Sequence, residues 1–379
     1  MNNTYCIFSA LYFPHVGGVE NYTFNLAREL NALGNKVIIV TNNTEDAASH
    51  QVCDFAEIYR LPCSDFMGGR FPLTKHDARF NELWQTICAK PVTQVIVNTR
   101  FYPLSLLGVQ FAAKRKIIPL VIDHGSAHLT VGKPAIDLGV QRVEHIMTNR
   151  LKKYPARYFG VSQKSVNWLR HFGIEGEGVL NNSIDAAAFR SKSSKRAFRT
   201  ELNLAQDDFT VAFTGRLAPE KGIQHLAAAA EMLADRNIHV LVAGDGVLSE
   251  ELAAKASCNL HLLGPLNGED VAALLMECDA FCMPTRSEGF STSLLEAAAC
   301  GLAPITTDVG GVDELVPSPD FGLILKDAQP QTVAQAILEL AKDRKRCKQI
   351  GENARARVEQ EFNWKRTAQK VEAACTQSA

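Results

Sequence analysis

The sequence predicts an α/β protein made of two parallel sheets covered by helices, and three observations carry that reading. Both halves alternate short β-rich runs with amphipathic helical patterns, the signature of strand–helix–strand units. The alternation pauses once, around Leu180-Asn-Asn-Ser-Ile-Asp185, and the stretch 191–199 beyond it is polar and basic. At 379 residues and 46% hydrophobic composition, the chain is long enough for two cores of ordinary size. The hinge is therefore placed within 178–186, with a first domain over 1–182 and a second over 183–361.

In the first domain the expected strands are 5–10, 36–41, 94–98, 118–123 and 157–161. A helix over 21–33 carries Leu26, Leu30 and Leu33 on one stripe and ends at Gly34. In the second domain the strands are 210–214, 239–243, 260–263, 280–283 and 303–306, with helices starting near Gly222, Val247, Asn267 and Ser291. From Pro330 the tail reads as helical, and Phe362-Asn-Trp364 opens a last amphipathic segment. Ligands of such sheets bind outside the carboxyl ends of the strands, so two facing domains predict one cleft.

A net charge of −1 argues against nucleic acid as the main partner. No apolar run approaches the length of a membrane span, and Met1-Asn-Asn-Thr-Tyr-Cys lacks the basic start of a signal peptide. The ten cysteines form no Cys-x-x-Cys pair, which fits reduced core residues of a cytoplasmic protein. His124 and His128 have a metal-compatible spacing but no obvious third ligand nearby, so no metal site is expected.

The stretch Thr285-Arg-Ser-Glu-Gly-Phe-Ser-Thr-Ser-Leu-Leu-Glu296 is the richest in chemistry. A strand leads into a glycine-containing loop and then a helix start, whose free N–H groups and positive dipole end favour an anion such as phosphate. Glu288 sits in the loop and Glu296 about one turn inside the helix, placed to accept from hydroxyls on either side of a phosphate. The bland alternative makes Glu296 the partner of Ser293 in a capping box and Glu288 a solvated loop charge. Upstream, Gly215-Arg216-x4-Lys221-Gly222 follows a strand end; the fork of Arg216 and the point charge of Lys221 together suit a diphosphate. Two solvated cations are the alternative there.

Gly17 and Gly18, before the first long helix, permit a tight turn and close backbone approach. Ala243-Gly-Asp-Gly246-Val-Leu-Ser249 imitates a dinucleotide fingerprint but carries Ser249 in place of the third glycine, which leaves an oxidoreductase a minor alternative. His124, after the strand ending at Asp123, either faces a ligand or packs in its loop. Asp308-Val-Gly310-Gly311 is a further glycine turn beside the same strand ends.

Together, Gly17-Gly18-x-Glu20, Asn182-Ser-Ile-Asp185, Gly215-Arg216-x4-Lys221-Gly222, Gly244-Asp-Gly246 and Glu288-Gly-Phe-x5-Glu296 resemble family 4 of the retaining glycosyltransferases over nearly the whole chain. The resemblance implies the GT-B fold: two Rossmann-like domains facing each other across a cleft, with a C-terminal helix (about 362–379) crossing back to the first domain. It implies that a nucleotide sugar binds the second domain and the acceptor the first, with no metal or other cofactor. It assigns Arg216 and Lys221 to the diphosphate, Glu296 to the ribose and Glu288 to the transferred sugar. The backbone of Gly289, Phe290, Ser291, Thr292, Ser293 and Leu294 would meet sugar hydroxyls and distal phosphate, Gly17 and Gly18 would close on that phosphate, and His124 would face the sugar. Many family members read Glu-Gly-Phe-Gly where this chain has Ser291, a difference that bears on which sugar epimer fits.

The expected reaction moves a hexose or N-acetylhexosamine from a nucleotide diphosphate sugar to an acceptor hydroxyl with same-face substitution, in assembly of bacterial cell-surface polysaccharide or glycolipid. A sugar-nucleotide epimerase and a non-catalytic nucleotide-sugar-binding protein are the alternatives. The loop with Gly264 and Leu266 is expected to read the base; the absence of an acid at Asn267 and Gly268 tilts it toward UDP over GDP, with Glu269 and Asp270 keeping the question open. The acceptor is a glycan or a lipid-linked glycan. Arg142, Arg150, Lys152, Lys153 and Arg157 lie near Leu138, Val143, Ile146 and Met147, and 66–79 adds basic and aromatic residues. Such a stretch docks on an anionic membrane or is simply a solvated helix face.

Overall fold

The computed structural model describes residues 3–64, 69, 71–129 and 134–376. Part of the basic and aromatic stretch 66–79 therefore lies outside the described residues, at 66–68 and 70, as does the end of the last segment at 377–379. The chain divides into two compact units, Met1–Asn182 with Trp364–Ala379, and Ser183–Asn363. No described helix is long and apolar enough to cross a membrane.

The first unit is built on an eight-stranded sheet in the order Gly178–Val179, Arg157–Gly160, Leu120–Asp123, Gln94–Asn98, Thr4–Ser9, Lys36–Asn42, Ala56–Leu61, His50–Cys53. Every pairing is parallel except the last, an antiparallel edge that sequence patterning did not reveal. The central strands read as continuous apolar runs because helices cover both faces; Phe8, Val97 and Val121 pack with Phe111 and Leu104 in one core.

The first helix spans Gly18–Ala32, starting three residues before the expected position. Gly17 takes the N-cap in extended backbone and its carbonyl accepts from the Asn21 N–H at 3.1 Å, so residues that read as a turn already belong to the first helical turn. The returning helix Trp364–Thr376 packs against it, with the Tyr22 and Trp364 rings 5.2 Å apart and Asn35 Nδ2 donating to Glu372 Oε1 at 2.8 Å.

The second unit has six strands, all parallel, in the order Leu260–Gly264, Ile238–Ala243, Phe209–Thr214, Ala280–Met283, Ala303–Thr307, Leu323–Leu325. This is the doubly wound Rossmann order, which reverses direction between Phe209–Thr214 and Ala280–Met283, the place where such sheets open a crevice at their carboxyl ends. Asp185 caps the helix Ala186–Ser191 by accepting from Ala188 N at 3.0 Å. Phe362 does not open the returning helix: the Ile184 N–H donates to its carbonyl at 2.9 Å and its ring packs on Phe290, so it closes the second unit.

Candidate active site

The two loops leaving the switch point of the second unit are stitched together by backbone bonds. Arg286 N donates to Glu220 O at 2.8 Å, and Thr285 Oγ1 reaches the same carbonyl at 3.0 Å. Gly222 has φ +71, and a Cβ there would lie 2.0 Å from Pro284 O, so only glycine allows the approach. This contact brings Lys221 Nζ to 2.5 Å from Glu288 Oε1, with both side chains largely shielded from solvent. Arg216 points outward, with a side chain 57% exposed and Glu220 Oε1 3.2 Å away, so its guanidinium keeps most of its donors for an incoming anion.

The Gly244-Asp-Gly246 element braces the turn that carries Arg216. A Cβ at Gly244 would sit 1.9 Å from Gly215 O and one at Gly246 2.5 Å from Leu217 O, while Leu217 N donates to Asp245 O at 2.9 Å. Gly310 and Gly311 play the same part for the Glu288 loop. A Cβ on Gly310 would meet Gly289 O at 2.6 Å, and one on Gly311 would meet the Phe290 ring at 2.1 Å.

The helix after this loop spans Thr292–Ala299 and is capped by Ser291, whose Oγ accepts from Leu294 N at 3.2 Å and lies 3.8 Å from Met283 Sδ. The capping box expected as the bland alternative for Ser293 and Glu296 is thus overturned: Ser291 is the cap and Leu294 the third helical residue. Ser291 owes its identity first to this cap, since its hydroxyl is engaged inside the fold. Glu296 is left without a capping role, and its carboxylate is hydrogen-bonded to no described residue. Desolvation pushes its pKa up to about 7, opposed by the charge of Lys192. A desolvated, unpartnered carboxylate suits an acceptor for hydroxyl donors.

Lys192 is a residue that sequence reasoning missed. Its ammonium lies 4.4 Å from the Phe189 ring centroid and within 2.9 Å of where a Cβ on Gly268 would stand, which puts it between the loop expected to read the base and Glu296. The only signal in the sequence was a basic stretch that read as hinge flank. In that loop Gly264 adopts φ +70 and Leu266 packs on the core beneath. Asn267 caps the helix Gly268–Glu277 by accepting from Glu269 N and Asp270 N, which explains an amide at that position. Asp270 is engaged by Arg196 at 3.4 Å and by Asn267 Nδ2 at 3.3 Å.

Gly17, Gly18 and His124 belong to the first unit. A Cβ at Gly18 would meet nothing within 4 Å, leaving an open backbone face, whereas Gly17 stands over the buried Glu20, itself 3.0 Å from His15 Nδ1. His124 Nε2 lies 3.1 Å from Asn98 Oδ1, whose amide in turn donates to Thr23 Oγ1 at 2.7 Å. That network assigns the proton to Nε2 and leaves Nδ1 as an acceptor. Desolvation pushes the His124 pKa down to about 3, so the ring is neutral near pH 7. His124 and His128, close in sequence, keep different company: His124 is engaged by Asn98, while His128 turns to Glu144, His145 and His171.

The family model described as Glycosyltransferase Family 4 matches residues 16–187, and that described as Glycosyl transferases group 1 matches 194–357. A D-inositol 3-phosphate glycosyltransferase of Jonesia denitrificans is 30% identical over 93% of this chain and 89% of its own. A GDP-mannose-dependent phosphatidylinositol monomannoside mannosyltransferase of Corynebacterium glutamicum is 25% identical over 93% and 92%. Among solved structures, sucrose-phosphate synthase of Thermosynechococcus elongatus superposes with a TM-score of 0.76 at 20% identity, covering 99% of each chain. Anabaena HepE in complex with UDP superposes with a TM-score of 0.72 at 19% identity, covering 100% of each.

Proposed function

The chain belongs to the family 4, group 1 glycosyltransferases, and from that premise we infer that it transfers a hexosyl or N-acetylhexosaminyl group from a nucleotide diphosphate sugar, with retention, to a glycan or lipid-linked glycan. The observation that carries this reading is the cluster at the switch point of the second unit. Lys221 pairs with Glu288 in the loop before the helix Thr292–Ala299, the exposed guanidinium of Arg216 follows the end of the strand Phe209–Thr214, and the carboxylate of Glu296 lies five residues into that helix. The two cations and the helix dipole stabilise the charge that grows on the departing diphosphate, a preorganised electrostatic contribution. They provide the positive charge at the phosphates, and the reaction as proposed requires no resident metal.

Glu296 accepts from the ribose hydroxyls, and Lys192 stands beside it as a further cation for the nucleotide. Glu288, held by Lys221, orients the transferred sugar, and the acceptor hydroxyl attacks the face the diphosphate leaves, giving up its proton to the leaving phosphate oxygen. We assign the acceptor to the first unit, where Gly18 offers open backbone and His124 a neutral ring.

UDP is favoured as the donor nucleotide because position 267 is an asparagine committed to a helix cap and Asp270 is engaged by Arg196, which leaves Glu269 as the acid of that turn for guanine. HepE is solved with UDP-glucose, while the Corynebacterium relative is named for GDP-mannose. A thermal-shift panel with UDP, GDP and ADP tests the assignment: UDP gives the largest rise in Tm, and a larger rise with GDP reverses it.

We place the protein at the cytoplasmic face of a membrane, in assembly of surface polysaccharide or glycolipid. The helix Pro134–Leu151 supports this by exposing Ile136, Leu138, Val143 and Ile146 among Arg142 and Arg150, a basic amphipathic face. Arg157 drops out of the expected cluster, because Glu177 at 2.6 Å and the Ala374 carbonyl hold it, and Lys152 donates to Phe172 O at 2.5 Å.

A further inference from the structure

Three histidines of the first unit converge at one point that the transfer reaction does not use. His128 comes from the loop after the strand Leu120–Asp123, His145 from the helix Pro134–Leu151, and His171 from the short 3-10 turn Arg170–Phe172. His128 Nε2 is 3.2 Å from His171 Nε2, which is 3.3 Å from His145 Nε2. One donatable atom on each ring lies within 4.8 Å of the others. We propose that His128, His145 and His171 form a binding site for a divalent transition metal of the zinc class.

The geometry and the surrounding groups argue for a cation. Nitrogens bound at the usual zinc distance in a tetrahedron are separated by about 3.3 Å, which matches the two observed separations. Glu144 Oε2 lies 2.7 Å from His128 Nδ1, so that nitrogen carries the proton and the Nε2 lone pair faces the other two rings. A carboxylate behind a ligating imidazole is the usual outer support of a metal site, fixing tautomer and ring orientation. Glu144 is itself fixed by Arg100, which also binds Asp123 Oδ2 at 2.5 Å. The Trp168 ring lies 4.6 Å from that of His171 at an interplanar angle of 4°, holding its plane. A single Nε2–H on His171 cannot serve both neighbours, so the cluster calls for a further proton or a metal cation between the rings. Imidazole donors select zinc, copper, nickel or iron over magnesium and calcium. The exposed edge at His171 leaves a fourth position for water. A bound ion staples three segments that are distant in sequence.

The test uses the full-length, tag-free protein, titrated with Co(II) for its tetrahedral ligand-field absorption and with Zn(II) by calorimetry. One equivalent is expected to bind, with zinc raising Tm. His145→Gln and His171→Gln are each expected to weaken binding by more than about 100-fold, beyond the loss of an outer partner, and to abolish the zinc-dependent rise, while the edge-strand variant His50→Gln leaves both intact. Far-UV circular dichroism checks folding; if His145→Gln does not fold, His171→Gln, altered at an exposed ring, carries the comparison. Absence of a Co(II) band and of stoichiometric zinc uptake overturns the proposal and leaves a proton-sharing imidazole cluster, as does uptake unchanged in His171→Gln.

Discussion

Glu296 carries a stability cost at the position proposed to bind ribose. Its pKa rises from 4.5 to about 7 because the fold desolvates the carboxylate without giving it a hydrogen bond. The charged form is therefore disfavoured in the native state. The penalty is absent below pH 4.5, grows as pH rises toward 7, and is complete above 7 at about 3 kcal/mol. Glu296→Gln is expected to raise Tm at pH 8, with the gain vanishing toward pH 4.5, while weakening UDP binding at pH 8. Unfolding scans and UDP titrations across that range check both; a destabilised variant at pH 8 contradicts the desolvation argument. Lys192 works in the opposite sense, as the one charge found to lower this pKa.

Among the elements, the glycine contacts position the chemistry. Gly222→Ala forces a Cβ toward Pro284 O at a positive φ, so the turn carrying Lys221 must separate from the loop carrying Glu288. The expected result is a loss of more than about 1 kcal/mol in stability together with a fall in transfer rate, read by denaturant unfolding and initial rates. Central strands and the loops carrying Arg216, Lys221 and Glu288 were legible in the sequence, because buried parallel strands are apolar runs and each charged motif follows one. The N-cap was not, since Ser291 and Ser293 both fit and only backbone geometry chooses between them. Gly244 and Gly246 looked like a ligand loop because a backbone approaching a phosphate and a backbone approaching another loop both require glycine. Lys192 and the histidine trio escaped notice because their members meet only through tertiary packing, His171 lying 43 residues beyond His128.

Across the whole molecule, each unit carries its own sheet and its own share of the proposed labour. In the second unit, the reversal of strand order places Arg216 and Lys221, proposed here for the diphosphate, and both carboxylates around the carboxyl ends of adjacent strands. In the first, the exposed apolar residues of Pro134–Leu151 and their basic neighbours give the helix a basic amphipathic face, the basis of the proposed membrane contact. Co-sedimentation with vesicles rich in anionic lipid is expected to bring the protein down, less so at high salt and less so for Ile146→Glu. Absence of binding at low salt favours a soluble acceptor.

The most direct test of sugar transfer centred on Glu288 is the initial rate of Glu288→Gln against the unaltered enzyme. Both are given the nucleotide sugar and acceptor identified by mass spectrometry from a mixed nucleotide-sugar pool and a glycolipid extract. The variant is expected to bind UDP with little change but to transfer at least about 100-fold more slowly, the scale of a lost interaction made in the transition state. Near-normal turnover of that substrate pair by Glu288→Gln would contradict the assignment of the site.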